Sequence, residues 1–223
     1  TGLQPEQLRD PDTLTSTAQL YRVVSAAAAL CPAPDLGWRI GQRLRVTSYG
    51  MYGYALLCAP SLRAVLELAT RNHVLANPLV PISCRVAADG LSWHFPARHE
   101  LLLPDLDERL YRLLIELQMG IHHTLSQDVM GPGFAPLRVD VGWPAPPDAA
   151  DWSASFGAPV RFGQPRAALH YDATALQRKL SQEADDKLLA ELKAKGVQID
   201  KVVVGSGSSG THGGLLAGFM GNR

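Results

Sequence analysis

The stretch from Leu36 to Pro81 reads LGWRIGQRLRVTSYGMYGYALLCAPSLRAVLELATRNHVLANPLVP. Leu36, Ile40 and Leu44 recur every four residues, a spacing that predicts a helix with one buried face. Three basic side chains fall off that stripe and are expected to face solvent or a ligand: Arg39, Arg43 and Arg45. The first part of the stretch is therefore predicted to be a helix with an arginine-bearing outer side.

A segment rich in glycine and tyrosine follows this helix. Gly50 and Gly53 allow one backbone to approach another closely, and Tyr49, Tyr52 and Tyr54 supply amphipathic rings. The composition is consistent with a binding wall and equally with a tight helix crossing. After Pro60, Ser61 is a candidate N-cap for a second amphipathic helix, predicted over residues 61–73.

The rest of the chain alternates between helical and strand-like patterns. Apolar spacing predicts helices over about residues 15–30, 105–126 and 149–156. Strands are predicted over about 80–87 and 91–96, as a hairpin turning at Asp89-Gly90, then within LRVDVGWP and within the segment from Val160 to AALHYD. The fold class is therefore predicted as α+β, with a helical N-terminal half and a small, mostly antiparallel four-stranded sheet covered by helices.

Composition restricts the function. The chain has 223 residues, and its 21 basic and 21 acidic residues balance. It therefore lacks the excess of positive charge that is typical of proteins that bind nucleic acid. Cys31, Cys58 and Cys84 are widely spaced and odd in number, which supports neither a disulfide framework nor a metal site. No apolar run is long enough to cross a membrane and Thr1 opens no signal peptide, so a soluble, cytoplasmic protein is expected.

The sequence offers little for catalysis. His122 and His123 are adjacent on a predicted helix and point about 100° apart, which makes a poor metal chelate. No G-x-S-x-G nucleophile motif is present. We therefore assign no catalytic residue, no metal and no cofactor, and expect a protein that is not an enzyme.

Several separate segments carry a family resemblance. LGWRIGQRLRVTSYGMYGYALLCAPSLRAVLELATRNH, the hairpin and FGAPVRFGQPRAALHYDATAL resemble, in this order, the N-terminal arabinose-binding-type domain of AraC-family transcription regulators. The resemblance covers about residues 3–176 and implies an effector-sensing regulatory domain over residues 1–176. It further implies a small-molecule effector of unknown class and a homodimer. No helix-turn-helix sequence follows residue 176, so this chain is expected to make no direct contact with nucleic acid.

Residues 177–223 form a separate C-terminal segment of different composition. Its sequence predicts a Lys/Glu-rich helix, a strand over 202–204, a Gly/Ser loop and an apolar helix. Residues 183–223 resemble a fragment of the pyridoxal-phosphate enzymes of the D-cysteine desulfhydrase and ACC deaminase family. That resemblance implies a phosphate-holding loop of Gly207, Ser208, Ser209, Gly210 and Thr211. The competing interpretation is a flexible Gly/Ser tail.

The residues proposed to bind an effector combine arginine with aromatic rings: Arg39, Arg43, Tyr49, Tyr52, Trp93 and His94. Arginine grips a carboxylate or phosphate in a fork, and the rings pack against the rest of a small metabolite. The same arginines could be ordinary solvated helix charges and the tyrosines core residues. Two alternatives to the sensing domain also remain: an oligomerisation module that uses the helix faces at 61–73 and 105–126, and, more weakly, a pyridoxal-phosphate-binding enzyme fragment.

Overall fold

The computed structural model describes residues 2, 4–9, 14–31, 33, 35–88, 90–147, 149–177, 201–204 and 215–218. The α-helices are α1 (Pro5–Arg9), α2 (Thr17–Leu30), α3 (Leu36–Gly41), α4 (Gly50–Leu57), α5 (Leu62–Ala76), α6 (Glu108–Met130) and α7 (Ala149–Phe156). The strands are β1 (Ser83–Ala87), β2 (Gly90–His94), β3 (Arg138–Asp140), β4 (Val160–Arg161), β5 (Ala168–Tyr171), β6 (Lys201–Val204) and β7 (Leu215–Gly218). Short 3₁₀ turns cover Val46–Tyr49, Arg98–Glu100 and Ala173–Gln177. The predicted α+β class is confirmed.

The five strands from β1 to β5 form one sheet in the order β1-β2-β5-β3-β4. All pairs are antiparallel except β3 with β4, where Val139 lies opposite Val160 in a parallel register. The sheet therefore has one strand more than predicted, because the short segment Val160–Arg161 pairs separately from β5. Helix α6 packs on its inner face, where the ring of His122 lies 4.8 Å from the ring of Trp93.

The hairpin of β1 and β2 is present, but its turn lies earlier than predicted. Ala87 pairs directly with Gly90, so the glycine belongs to strand β2 rather than to the turn. Gly90 has a φ of 155°, and a Cβ placed there would lie 2.5 Å from the carbonyl oxygen of Tyr171. A glycine is required at this position because the backbone of Tyr171 passes so close to it.

Helix α6 is the centre of the domain. It begins with Asp107 as N-cap, whose carboxylate accepts a hydrogen bond from the Leu110 N–H at 2.7 Å. The predicted helix is confirmed, although it extends to Met130. The helix is buried nearly all round and not on one face alone. Its buried polar side chains include Glu116, Gln118, His122, His123 and Asp128.

Helix α3 crosses α6 through glycines on both helices. A Cβ at Gly37 would lie 2.2 Å from the carbonyl oxygen of Leu113, and one at Gly41 would lie 2.4 Å from that of Leu117. The Cβ built at Gly41 would also lie 2.9 Å from the Cα of Gly120 on α6. The two backbones are therefore in direct contact, which only residues without side chains allow.

This crossing replaces the leucine and isoleucine stripe expected for α3. The buried residues of the helix are Gly37, Trp38 and Gly41, whereas Ile40 is 37% exposed and Leu44 lies beyond the end of the helix. The predicted face of Leu36, Ile40 and Leu44 is wrong. The prediction was based on the spacing of large apolar side chains, and such a spacing does not reveal a face that packs through glycines.

The other predicted helices are confirmed with small changes at their ends. Helix α5 has Ser61 as N-cap, with its hydroxyl accepting a hydrogen bond from the Ala64 N–H at 3.3 Å. Helix α2 has Ser16 as N-cap, and Ser16 and Gln19 form a reciprocal capping box. Among the described residues, no helix is long and apolar enough to cross a membrane.

Two short elements are described in the C-terminal segment. Strand β6 is close to its predicted position, but β7 (Leu215–Gly218) pairs antiparallel with it where an apolar helix was predicted. That helix prediction is wrong, since Val204 lies opposite Leu215 in a two-stranded ladder. The predicted Lys/Glu-rich helix and the proposed phosphate loop Gly207–Thr211 lie outside the described residues.

Candidate functional site

A pocket of about 390 Å³ lies beside the first half of α6, where the end of α2 and the start of α3 approach it. Its α6 residues fall on one side of the helix because they are spaced by three or four positions. They are Glu108, Arg109, Arg112, Leu113 and Glu116. The opposite wall is small and apolar and consists of Cys31, Ala33, Leu36 and Gly37.

A buried ion pair forms the charged part of this pocket. Arg112 Nε donates a hydrogen bond to Glu116 Oε1 at 2.5 Å, one helical turn away. The Glu116 side chain is 1% exposed and the Arg112 side chain 24% exposed. Two indole rings hold the guanidinium from its other side, with its carbon 5.2 Å from the centre of Trp143 and 5.5 Å from that of Trp152.

The environment shifts the ionisation of the buried carboxyl. Burial raises the pKa of Glu116 to about 7, although the hydrogen bond and the charge of Arg112 oppose that shift. Arg112 Nη2 and Trp143 Nε1 are also buried and have no hydrogen-bond partner among the described residues. Each unsatisfied donor costs about 1–3 kcal/mol, so the surroundings of Arg112 are polar and incompletely hydrogen-bonded.

A larger cleft of about 930 Å³ adjoins the pocket on the α2 side. Its walls come from α2 and from the chain leading into α6, which are joined by a hydrogen bond from the Tyr21 hydroxyl to the Pro104 carbonyl oxygen at 2.5 Å. Arg109 lines both spaces, and its Nη2 donates to the carbonyl oxygen of Cys31 at 2.6 Å. This arginine therefore joins α6 to the C-terminal end of α2.

The structure places the predicted arginines on the surface. Arg39 is 58% exposed on its side chain and approaches Asp35 at 4.0 Å, an exposed pair of small energetic value. Arg43 is also exposed, in the turn after α3. Neither side chain lines the pocket beside α6.

The predicted tyrosines do lie together. The rings of Tyr49 and Tyr52 meet edge to face at 6.3 Å, and burial raises the pKa of each to about 12. The Tyr52 hydroxyl donates to the Ala69 carbonyl oxygen at 3.3 Å, across the crossing of α4 and α5. The pair thus joins two helices, and its role in binding an effector stays a prediction.

Trp93 and His94 are separated because neighbouring residues of a strand face opposite sides of the sheet. Trp93 is 1% exposed and packs on α6. His94 lies on the outer side, where its Nε2 is 2.7 Å from Ser92 Oγ and its ring 6.1 Å from that of His170. The six predicted residues therefore form no single site, and a binding role for any of them remains a prediction.

Sequence reasoning missed the charged pocket. Its signal was an arginine and a glutamate at positions i and i+4 within the leucine-rich part of α6, at Arg112 and Glu116. Opposite charges that fall among core residues have to pair with each other or with a ligand. The contribution of Trp143 and Trp152 could not be inferred, since they come from the loop after β3 and from α7.

Metal binding finds no support in the described part of the chain. No group of three His, Cys, Asp or Glu side chains converges there in a way that could hold a metal ion. Burial lowers the pKa of His122 to about 3 and that of His123 to about 4, so both rings are neutral core residues.

Comparisons with known proteins identify the family. Residues 1–180 match the arabinose-binding domain found at the N terminus of AraC transcription regulators. The ornithine utilization regulator of Pseudomonas aeruginosa is 26% identical over 191 residues, which is 80% of this chain and 51% of that protein. Uncharacterized HTH-type transcriptional regulators of Mycobacterium bovis and Mycobacterium tuberculosis are each 28% identical over 102 residues, 44% of this chain and 29% of the relative.

A solved structure has the same fold. The crystal structure of the transcriptional regulator CdpR from Pseudomonas aeruginosa superposes with a TM-score of 0.63 at 18% identity, over 79% of this chain and 55% of that one. The chain thus spans about half the length of the regulators that match most of it. None of these matches supports the resemblance of residues 183–223 to pyridoxal-phosphate enzymes.

The relatives and the family agree on the kind of protein. All are transcriptional regulators, which supports a regulatory sensing domain and points away from an enzyme. The family match extends over most of the 223 residues. This chain belongs to the family of N-terminal arabinose-binding domains of AraC transcription regulators.

Proposed function

We propose that this chain senses a small-molecule effector for a transcription regulator, and that the effector binds in the pocket beside α6. The pocket's buried Arg112–Glu116 pair carries the proposal, because a charged pair with unsatisfied donors beside it is costly for a core and useful for a ligand. The volume of about 390 Å³ suits a small metabolite.

The rest of the regulator is also part of the proposal. Since the chain spans about half the length of the ornithine utilization regulator, we infer that a helix-turn-helix DNA-binding domain completes the working protein and that this chain does not itself contact the operator. A homodimer is proposed from the family resemblance. A regulator acts where the DNA is, so the proposal includes the cytoplasmic location expected from the sequence.

The name of one relative guides the choice of ligands to try. It is a regulator of ornithine utilization, so an amino acid or a related metabolite is a reasonable first candidate for this chain. The word arabinose in the family description is a label of the family, and L-arabinose serves here as a comparison ligand.

The alternative of an oligomerisation module without a ligand is weakened at one of its two helices. Helix α6 is buried nearly all round within this chain, so it has no free face to offer a second copy. Helix α5 keeps exposed positions such as Val74, which is 63% exposed, and the alternative now depends on that helix.

A thermal-shift screen tests the proposal. A ligand that binds only the folded chain raises its stability by about 2.7 kcal/mol at a concentration one hundred times its Kd. The screen covers L-arabinose, the twenty protein amino acids, L-ornithine, diamines and short organic acids. A rise in melting temperature with any of these compounds supports sensing, and a flat response to all of them favours the oligomerisation module.

A further inference from the structure

We propose that the pocket beside α6 takes a small molecule that bears a carboxylate, and that the guanidinium of Arg112 receives that carboxylate. The inference rests on the proposed sensing function and names the class of its effector. Organic acids and amino acids share this chemistry, and the test below separates them.

Arg112 is held in place before any ligand arrives. Its Nε is bound to Glu116 Oε1 at 2.5 Å, and its planar head faces the adjacent rings of Trp143 and Trp152, 5.2 Å and 5.5 Å from their centres. A guanidinium has five N–H donors, and this arrangement leaves those on its two terminal nitrogens for another acceptor. Nη2 is buried and has no partner among the described residues.

A carboxylate is the group that suits such a fork. Two parallel N–H donors of a guanidinium match the two oxygens of a carboxylate, and charged hydrogen bonds of this kind are roughly twice as strong as neutral ones. The Arg112 side chain is 24% exposed, and a carboxylate that approached it there would supply the acceptor that Nη2 lacks among the described residues. A neutral sugar hydroxyl gives one hydrogen bond without the charge.

The other charges of the pocket argue against a purely cationic ligand. Glu116 is 1% exposed and already engaged by Arg112, while Glu108 stands at the rim and pairs with Arg98 at 3.5 Å. Arg109 adds a second guanidinium on the same side of α6. An amine that entered would find both carboxylates already paired and two guanidinium groups on the same side of α6.

The apolar wall gives the rest of the ligand a place to pack. Leu36 and Leu113 stand with Ala33 on the sides of the pocket, where they can contact a short hydrocarbon chain. The expected ligand therefore has a carboxylate at one end and an aliphatic body of a few carbons.

A matched set of compounds measures each contribution by isothermal titration calorimetry on the full 223-residue chain. Valerate, 5-aminovalerate, L-norvaline and L-ornithine share a five-carbon chain with one carboxylate and differ only in their amino groups. Putrescine lacks the carboxylate, and L-arabinose is a neutral five-carbon sugar. We expect binding by at least one of the four carboxylates and none by putrescine or L-arabinose, and the order among the four tells an organic acid from an amino acid.

Variants locate the binding to Arg112. Arg112→Met should weaken the carboxylate at least tenfold, which corresponds to about 1.4 kcal/mol. The double variant R112M/E116Q should do the same while leaving no unpaired charge in the core, so that a folded protein is available for measurement. Arg112→Lys keeps the charge without the fork and should also lose most of the affinity.

The matched control is Arg63→Met, on the exposed side of α5 and outside this pocket. It should bind the carboxylate with unchanged affinity. Binding of L-arabinose or putrescine alone would overturn the inference and leave the sensing function in place. Carboxylate binding that is unaffected in the Arg112 variants would also overturn it. No binding by any of the six compounds would overturn the inference alone, and the wider thermal-shift screen would then decide the sensing function.

Discussion

Replacing Gly41 with alanine should destabilise the domain, even though alanine is the better helix former. The substitution gains about 0.5–1 kcal/mol from helix propensity. The new Cβ, however, would lie 2.4 Å from the Leu117 carbonyl oxygen and 2.9 Å from the Gly120 Cα. Both obstacles are backbone atoms of α6, so no side chain can rotate away to relieve the contact.

The magnitude follows from the distance. An ordinary contact begins at 3.4 Å, so α3 and α6 must separate by about 1 Å along this crossing. A gap of that size forfeits up to about half of the dispersion energy of the neighbouring contacts. Overpacking of this kind costs about 1–3 kcal/mol net, and a domain of this size loses about 2–4 °C in melting temperature for each kcal/mol. We expect a fall of roughly 2–12 °C.

Urea unfolding followed by circular dichroism measures this change, with thermal melts as a second readout. Gly133→Ala is the matched control, because a Cβ at Gly133 meets no atom within 4 Å. The control should stay within about 0.5 kcal/mol of the parent chain. If Gly41→Ala proved as stable as the parent or more stable, the backbone contact between α3 and α6 would be refuted and only the propensity gain would remain.

Two further predictions concern polar groups of the core. Between about pH 6.5 and 4.5, His122 and His123 are protonated in the unfolded chain but stay neutral in the folded chain, where their pKa values are lowered. Glu116 does the opposite and binds a proton in the folded chain, because its pKa is raised. Unfolding therefore takes up about one proton net, so the free energy of unfolding should fall by about 1 kcal/mol for each pH unit of acidification. Urea titrations at several pH values check this, and a stability that rises or stays level down to pH 4.5 would contradict it. Asp128→Ala should cost about 2–4 kcal/mol in the same assay, because the carboxylate is fully buried and accepts the Val46 N–H at 2.9 Å. A loss below about 0.5 kcal/mol would show that this hydrogen bond contributes little.

The sequence predicted the elements better than the way they pack. A helix cap depends on residues close together in the sequence, so Ser61 marked the start of α5 correctly. The sides on which helices are buried depend on partners far away in the sequence. The buried side of α3 is the one that carries Gly37 and Gly41, because the backbone of α6 packs directly against these two glycines. Nothing within residues 36–41 indicates this contact.

The pocket escaped prediction for a related reason. Arginine and tyrosine near one another in sequence suggested a site around residues 39–52, yet those arginines face solvent. The arginine that lines the pocket, Arg112, lies in a segment that looked like core, and the rings that hold it arrive from Trp143 and Trp152. A pocket whose lining residues and supporting rings come from separate segments leaves no compact motif in the sequence.

The glycine crossing and the charged pocket share one residue, and this links ligand binding to helix packing. Gly37 lines the pocket, and a Cβ built there would lie 2.2 Å from the Leu113 carbonyl oxygen and 2.9 Å from Glu116 Cβ. The α3 and α6 backbones are in contact at this point, so the pocket wall and the helix crossing are made of the same atoms. Arg109 extends the same wall to the end of α2 through the Cys31 carbonyl oxygen. The proposed effector at Arg112 would therefore lie next to three helices, because the pocket is lined by α3 and α6 and Arg109 ties it to the end of α2.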